Sequence, residues 1–204
     1  MEPCVFGGKL YMTWRETTGG GSGSQVRVAV YNGNDLSPAW AFVDGNGANG
    51  INKDVTKRAN LPSLFVSGGA MFDTWNEQDP TATNIMVAVY NGDDSAPRWT
   101  FVNGLPTAGI NFDPAKNASN SRGVVFNGST YVSWNENNGT NNEVFLGNYS
   151  GNNLFPSWQP SIALNFDPAR EGFDPQAAVL GASLYLTWPE QNGAAFQIRV
   201  LRVF

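Results

Sequence analysis

Four copies of Trp-x-Glu carry the side chains best suited to chemistry: Trp14 with Glu16, Trp75 with Glu77, Trp134 with Glu136, and Trp188 with Glu190. In an extended strand, residues two apart point to the same side. Each indole therefore stands beside a carboxylate. Such a pair can hold a sugar: the ring covers the apolar sugar face, and the carboxylate accepts charge-assisted hydrogen bonds from hydroxyls. The same pair can serve packing, with Trp as a wedge between sheets and Glu as an acceptor for backbone N–H groups of a neighbouring loop. The fourfold repetition favours packing, because a repeated wedge is what stacked sheets need. It also argues against catalysis. A general acid and a general base need carboxylates in unlike environments, and four equivalent glutamates supply like ones.

Other side chains offer weaker chemistry. Asn and Asp recur two apart in Asn52/Asp54, Asn111/Asp113 and Asn165/Asp167. Oxygen-rich loops suit calcium, but Asx turns, in which these side chains satisfy nearby backbone groups, are the preferred reading. The run 44–50, rich in Asp, Asn and Gly, resembles a calcium loop without its closing acidic residue. No metal site or cofactor is therefore assigned, and calcium is the one metal these loops suit. Asp73, Glu143 and Glu171 each occur in one repeat only. They are the unlike carboxylates that a glycoside hydrolase would need, at a separation of about 5–9.5 Å. Tyr31/Trp40, Tyr90/Trp99 and Tyr149/Trp158 are nine apart, with Pro38, Pro97 and Pro156 ahead of each Trp. They read as stacked aromatics of an outer hairpin, and as sugar platforms if exposed. Sequons at Asn117, Asn127, Asn138 and Asn148 are what an Asn-rich chain produces by chance. The chain has no histidine, which removes Ser-His-Asp triads, Cys-His dyads and histidine metal sites. Cys4 is the only cysteine. It allows no internal disulfide and reads as a small buried hydrophobe.

The elements that carry these residues repeat. The tryptophans are 61, 59 and 54 residues apart, the signature of a repeat architecture. Aligned on them, strand-like segments fall in columns: 3–8, 64–69, 123–128 and 177–182, then 10–16, 71–77, 130–136 and 184–190, then 26–31, 85–90, 144–149 and 198–203. A fourth column, led by Trp40, Trp99 and Trp158, occurs three times. Apolar residues alternate with period two, as in Val26, Val28 and Val30 or Ile85, Val87 and Val89. No segment settles at a helical period. Asn32-Gly33, Asp44-Gly45, Asn91-Gly92 and Asn127-Gly128 suit tight turns between antiparallel strands. The stretch 17–24, with its Gly-rich run, reads as a flexible loop.

The expectation is one all-β domain over 1–204: a β-propeller of four blade-like repeats, approximately 1–61, 62–120, 121–174 and an incomplete 175–204 that lacks its outer strand. The order of segments (small strand, glycine turn, aromatic strand, strand ending in Tyr, then Trp) resembles the blade grammar of kelch propellers, with Trp-x-Glu where kelch repeats carry a double glycine. The resemblance implies architecture and carries no functional residue across. The last segment, with Gln197 and Phe204 at its ends, is expected as an apolar edge guarded only by Arg199 and Arg202. A self-closed four-bladed ring is preferred over completion by further copies.

Composition limits the partners. Of the 204 residues, 14% are charged, against about 25% in typical domains. A net charge of −5 argues against nucleic acid. No run of 18 apolar residues exists, so no membrane span is expected, and no leader peptide is read at Met1. The leading expectation is a non-enzymatic, multivalent recognition module that binds carbohydrate, or else a protein ligand, with the Trp-x-Glu pairs as its sites, in an extracellular or cell-surface setting. A structural protein that self-assembles through the 197–204 edge is the second reading, and a propeller glycoside hydrolase the third.

Overall fold

The computed structural model describes residues 1–17, 23–104 and 109–204. The Gly-rich run at 18–22, the heart of the expected flexible loop, lies outside them. Four antiparallel sheets account for the chain. Blade 1 holds β1 (Glu2–Phe6), β2 (Lys9–Thr17), β3 (Ser24–Tyr31) and β4 (Trp40–Phe42), and blade 2 holds β5 (Ala59–Ser67), β6 (Ala70–Gln78), β7 (Thr83–Tyr90) and β8 (Trp99–Phe101). Blade 3 holds β9 (Ala118–Phe126), β10 (Ser129–Asn137), β11 (Asn142–Tyr149) and β12 (Trp158–Pro160), and blade 4 holds β13 (Gln176–Leu180), β14 (Ser183–Asn192) and β15 (Ala195–Arg202). In each blade the strands pair in chain order, and blade 4 has three strands where the others have four. This is the expected all-β propeller, with the outer strand of its last blade missing.

The first two strands of each blade are joined by two-residue hairpins. Gly7-Gly8, Gly68-Gly69 and Asn127-Gly128 hold both central residues at positive φ. That geometry matches the twist of the flanking strands, and Gly or Asn reaches it at little cost. Asn32-Gly33 and Asn91-Gly92 do not form such turns. They begin eight-residue connections, 32–39 and 91–98, between the third and fourth strands. There the Asn32 side chain donates to Ser37 O at 2.8 Å and accepts from Asn34 N, so a side chain closes the loop that a tight turn would have closed. Asp44-Gly45 lies in the link from blade 1 to blade 2.

First strands touch one another from blade to blade (β1 with β5, β5 with β9, β9 with β13), whereas fourth strands meet only their own third strand among these larger contacts. The first strands therefore line the axis. Alternation splits each blade into a leading face, turned to the blade before, and a trailing face, turned to the blade after. Between blades 1 and 2, Tyr11, Val26, Val28 and Val30 pack on Met71, Trp75, Met86, Ala88 and Tyr90. Between blades 2 and 3, Phe72, Ile85, Val87 and Val89 pack on Val132, Trp134, Phe145 and Tyr149. At about 25 cal/mol per Å² of apolar surface, such faces supply most of the cohesion.

Among the described residues, no interface of comparable extent joins blade 4 to blade 1. The expectation of a self-closed four-bladed ring is corrected accordingly. Four blades make an open arc, because packing sets the angle between neighbouring sheets and nothing in the sequence period sets their number.

Candidate functional site

The Trp-x-Glu pairs of blades 2 to 4 lie inside the blade interfaces. Trp75 and Trp134 are fully buried and Trp188 nearly so. Each indole N–H donates to the glutamate two residues on, at 2.9, 3.1 and 3.0 Å. The same carboxylates accept the backbone N–H groups of the loop that enters their own blade. Glu77 takes Lys53 N and Asp54 N at 3.0 and 2.7 Å. Glu136 takes Phe112 N and Asp113 N at 2.8 and 2.7 Å. Glu190 takes Phe166 N and Asp167 N at 2.8 and 3.2 Å. A buried carboxylate needs such partners, and a loop leaving one sheet for the next has N–H groups to offer. Trp14 and Glu16 differ: Trp14 is half-buried and the Glu16 side chain is 46% exposed.

The Asn/Asp loops form the other half of this device. Asn52 accepts Val26 N at 2.9 Å and donates to Ser24 O and Lys57 O. Asn111 and Asn165 repeat the pattern on Ile85 N and Val144 N. Asp54, Asp113 and Asp167 each accept an N–H two residues on. These oxygens are engaged by the backbone, and among the described residues no group of three or more His, Cys, Asp or Glu side chains is placed to hold a metal ion. The outer aromatics pack within their hairpins, Tyr149 stacked on Trp158 and Tyr90 tilted against Trp99, each at 5.0 Å. Trp99 and Trp158 also donate across the interface to Val43 O and Val102 O.

Asp73 lies in a different blade interface from Glu143 and Glu171. Asp73 is fully buried between blades 1 and 2, accepting Thr13 Oγ1 at 2.7 Å and Ser63 N at 3.0 Å. Burial pushes its carboxyl up to about 7 against those hydrogen bonds, and the charge of Glu2 adds to the rise. Glu143 borders a small cavity of ≈ 140 Å³ with Glu136 and Lys116. Glu171 accepts from Asn142 Nδ2 at 2.9 Å.

Sequence reasoning missed a roomy opening. A cleft of ≈ 710 Å³ lies beside blade 2, lined by Lys53, Asp54, Lys57, Glu77, Asp79 and Thr81 among others. The loop entering blade 2, the turn between β6 and β7, and Pro114 of the next blade's loop converge there. Its carboxyls are tuned apart. Burial pushes Glu77 above the usual range, opposed by the Trp75 indole and the Asp54 and Lys53 N–H groups. Asp54 is held low by the Thr56 hydroxyl and N–H. Burial works to raise Asp79, but Ala82 N, Thr81 and Asn84 outweigh it and hold that carboxyl low. Lys53 is lowered by burial, with Glu77 and Asp79 opposing. Asp79 carries no signal in the sequence beyond the turn whose N–H groups it accepts, and nothing local marks a cleft made by three distant loops.

The fold matches solved propeller structures over nearly the whole chain. A thermostable family-43 glycoside hydrolase matches 99% of this chain and 70% of its own, with 12% identity and a TM-score of 0.61. An endo-arabinase from Bacteroides thetaiotaomicron matches 99% and 73%, with 11% identity and a TM-score of 0.60. A GH32 beta-fructofuranosidase from Bombyx mori matches 98% and 47%, with 11% identity and a TM-score of 0.60. No protein-family model matches the sequence, and no curated protein is significantly similar to it. The class is therefore the β-propeller in the form that glycoside hydrolases share, with no kelch family shown. This finding overturns the expectation of a non-enzymatic module, since the matched structures are themselves those of glycoside hydrolases. At 11–12% identity the likeness carries the fold, and the reaction is argued from the site.

Proposed function

We propose that the chain is a carbohydrate-active propeller that cleaves glycosidic bonds, with a glycan held in the blade 2 cleft. The observation that carries this reading is a roomy cleft in which one carboxyl is pushed towards keeping its proton and two are held ionised. Paired carboxyls with opposed tendencies are what acid–base cleavage of a glycosidic bond uses. Asp54 and Asp79 stand at the surface of the cleft as acceptors for sugar hydroxyls and as bases towards water. Glu77 forms its inner wall and is the group that would protonate the leaving oxygen. The neighbouring fold supports the substrate class, as the matched structures carry the names of arabinanases and a fructofuranosidase.

Glu77 shares its structural duty with Glu136, which gives the test its control. Reducing-end release is measured on arabinan, fructan and xylan oligosaccharides for the parent chain and for Glu77→Gln, Asp79→Asn and Glu136→Gln. Turnover that falls at least about 100-fold in Glu77→Gln and Asp79→Asn, and stays near parental in Glu136→Gln, is the expected result. A folded parent chain that neither cleaves nor binds any of these glycans sinks the proposal. Equal losses in Glu77→Gln and Glu136→Gln would reduce Glu77 to its structural role.

A further inference from the structure

The loop that enters blade 3 borders two openings. Pro114 stands on the wall of the blade 2 cleft, while Phe112, Asp113 and Lys116 of the same loop line the cavity of ≈ 140 Å³ beside Glu136. The loop closes without the Phe112 side chain. Its backbone N–H donates to Glu136, Asn111 Nδ2 donates to Lys116 O, and Asp113 accepts Ala115 N. Blade 2 carries Lys53 in the same place. Phe112 is nevertheless aromatic and 56% exposed. It ends a column of rings: Trp134 stacks on Phe145 at 5.7 Å, and Phe145 on Phe112 at 5.2 Å. The two inner rings are buried. The outermost ring is thus held flat from one side and presents its other face to solvent.

Glu143 is a second unusual choice on the same cavity. It lies directly opposite Glu136 across β10 and β11. The other blades set an amide against the corresponding glutamate: Gln25 opposite Glu16, Asn84 opposite Glu77, Gln197 opposite Glu190. Two carboxylates directly opposite destabilise a sheet. Glu136 is already engaged by the Trp134 indole and two loop N–H groups, so Glu143 brings the interface nothing that an amide would not. A local rule broken without a structural gain points to function.

We propose that this cavity is a second sugar subsite, which holds a further ring of an oligosaccharide whose scissile bond lies in the blade 2 cleft. The electron-rich face of Phe112 attracts the C–H face of a sugar ring. Asp113 and Glu143 accept its hydroxyls in charge-assisted hydrogen bonds, and Lys116 and Asn138 donate to it. The volume is well below the roughly 300 Å³ at which pockets for larger ligands begin, and it suits one ring. The substrate is then an oligosaccharide long enough to pass over Pro114. That role in chain length rests on cleavage in the blade 2 cleft; the subsite itself does not.

Two variants borrow side chains that the fold already carries at these places. Phe112→Lys installs the residue of blade 2, and Glu143→Gln installs the amide of blades 1 and 4. Calorimetric Kd is measured for arabinan, xylan and fructan oligosaccharides of increasing length, beside kcat, KM and Tm. For the longest glycan bound, each variant is expected to weaken Kd and raise KM by about tenfold. Disaccharide kinetics, kcat and Tm stay near parental. Parental affinity for that glycan in Phe112→Lys, or an equal loss for the disaccharide, overturns the subsite. If the parent chain cleaves nothing, the cleavage reading fails alone. A Kd weakened by Phe112→Lys then still upholds the subsite, and an unchanged Kd, or no binding by the parent, overturns it.

Discussion

Trp134–Glu136 and Trp14–Glu16 are the same sequence motif in two surroundings. In blade 3 the indole is fully buried and the carboxylate gathers three N–H donors. In blade 1 the indole is half-buried and the carboxylate faces water beside Arg27. The difference comes from the neighbour: blade 3 has a blade in front of it and blade 1 does not. A repeated motif thus specifies a half-interface, and its energy is realised only where the other half is present.

That contrast can be broken most forcefully at the ring. Trp134→Ala removes a wedge from a closed interface and is expected to cost about 3–5 kcal/mol, read as a fall in the denaturant midpoint. Glu136→Ala leaves three buried N–H groups without an acceptor, at about 3 kcal/mol or more. If either variant unfolded at the parental midpoint, the interface would not be the seat of stability.

Asp73 sharpens the comparison through pH, since it sits where blade 2 meets blade 1. Burial raises its pKa in the fold to about 7, above the ordinary carboxyl value of 3.8. The folded state therefore holds the proton more tightly, and this contribution to stability is complete below about pH 4 and is lost as pH rises through 7. Glu77 and Glu136 shift in the same direction. Stability is expected to decline from pH 4 to 7, and Asp73→Asn to flatten the largest part of that slope. A parental slope in the Asn variant would show that Asp73 is ionised in the fold. The smallest effect is expected at the open end. Glu16→Ala breaks one partly exposed ion pair, worth about 1 kcal/mol or less, and a loss as large as that of Glu136→Ala would mean that a partner already covers blade 1.

Much of this was readable along the chain. Val26, Val28 and Val30, like Ile85, Val87 and Val89, alternate because one side of each strand is pressed on the next sheet, and that pattern is local. Asn127-Gly128 reads as a hairpin because two consecutive positive φ values suit few other residues. The same pair at 32–33 and 91–92 misled, since the side chain of Asn can close a longer loop as readily as a short one. The cleft beside Glu77 was not readable at all, as its walls come from loops brought together only when blades 1 to 3 stack.

By itself the sequence determined the strands, their order within each sheet, the four repeats and the missing outer strand. Those follow from side-chain period and backbone preference, which act over a few residues. Only the tertiary structure decided that the arc stays open, that Asp73 meets Thr13, and that Glu77 borders a cleft while Glu16 faces water. Each of these depends on which surface lies opposite, and stacked sheets settle that through contacts between residues tens of positions apart.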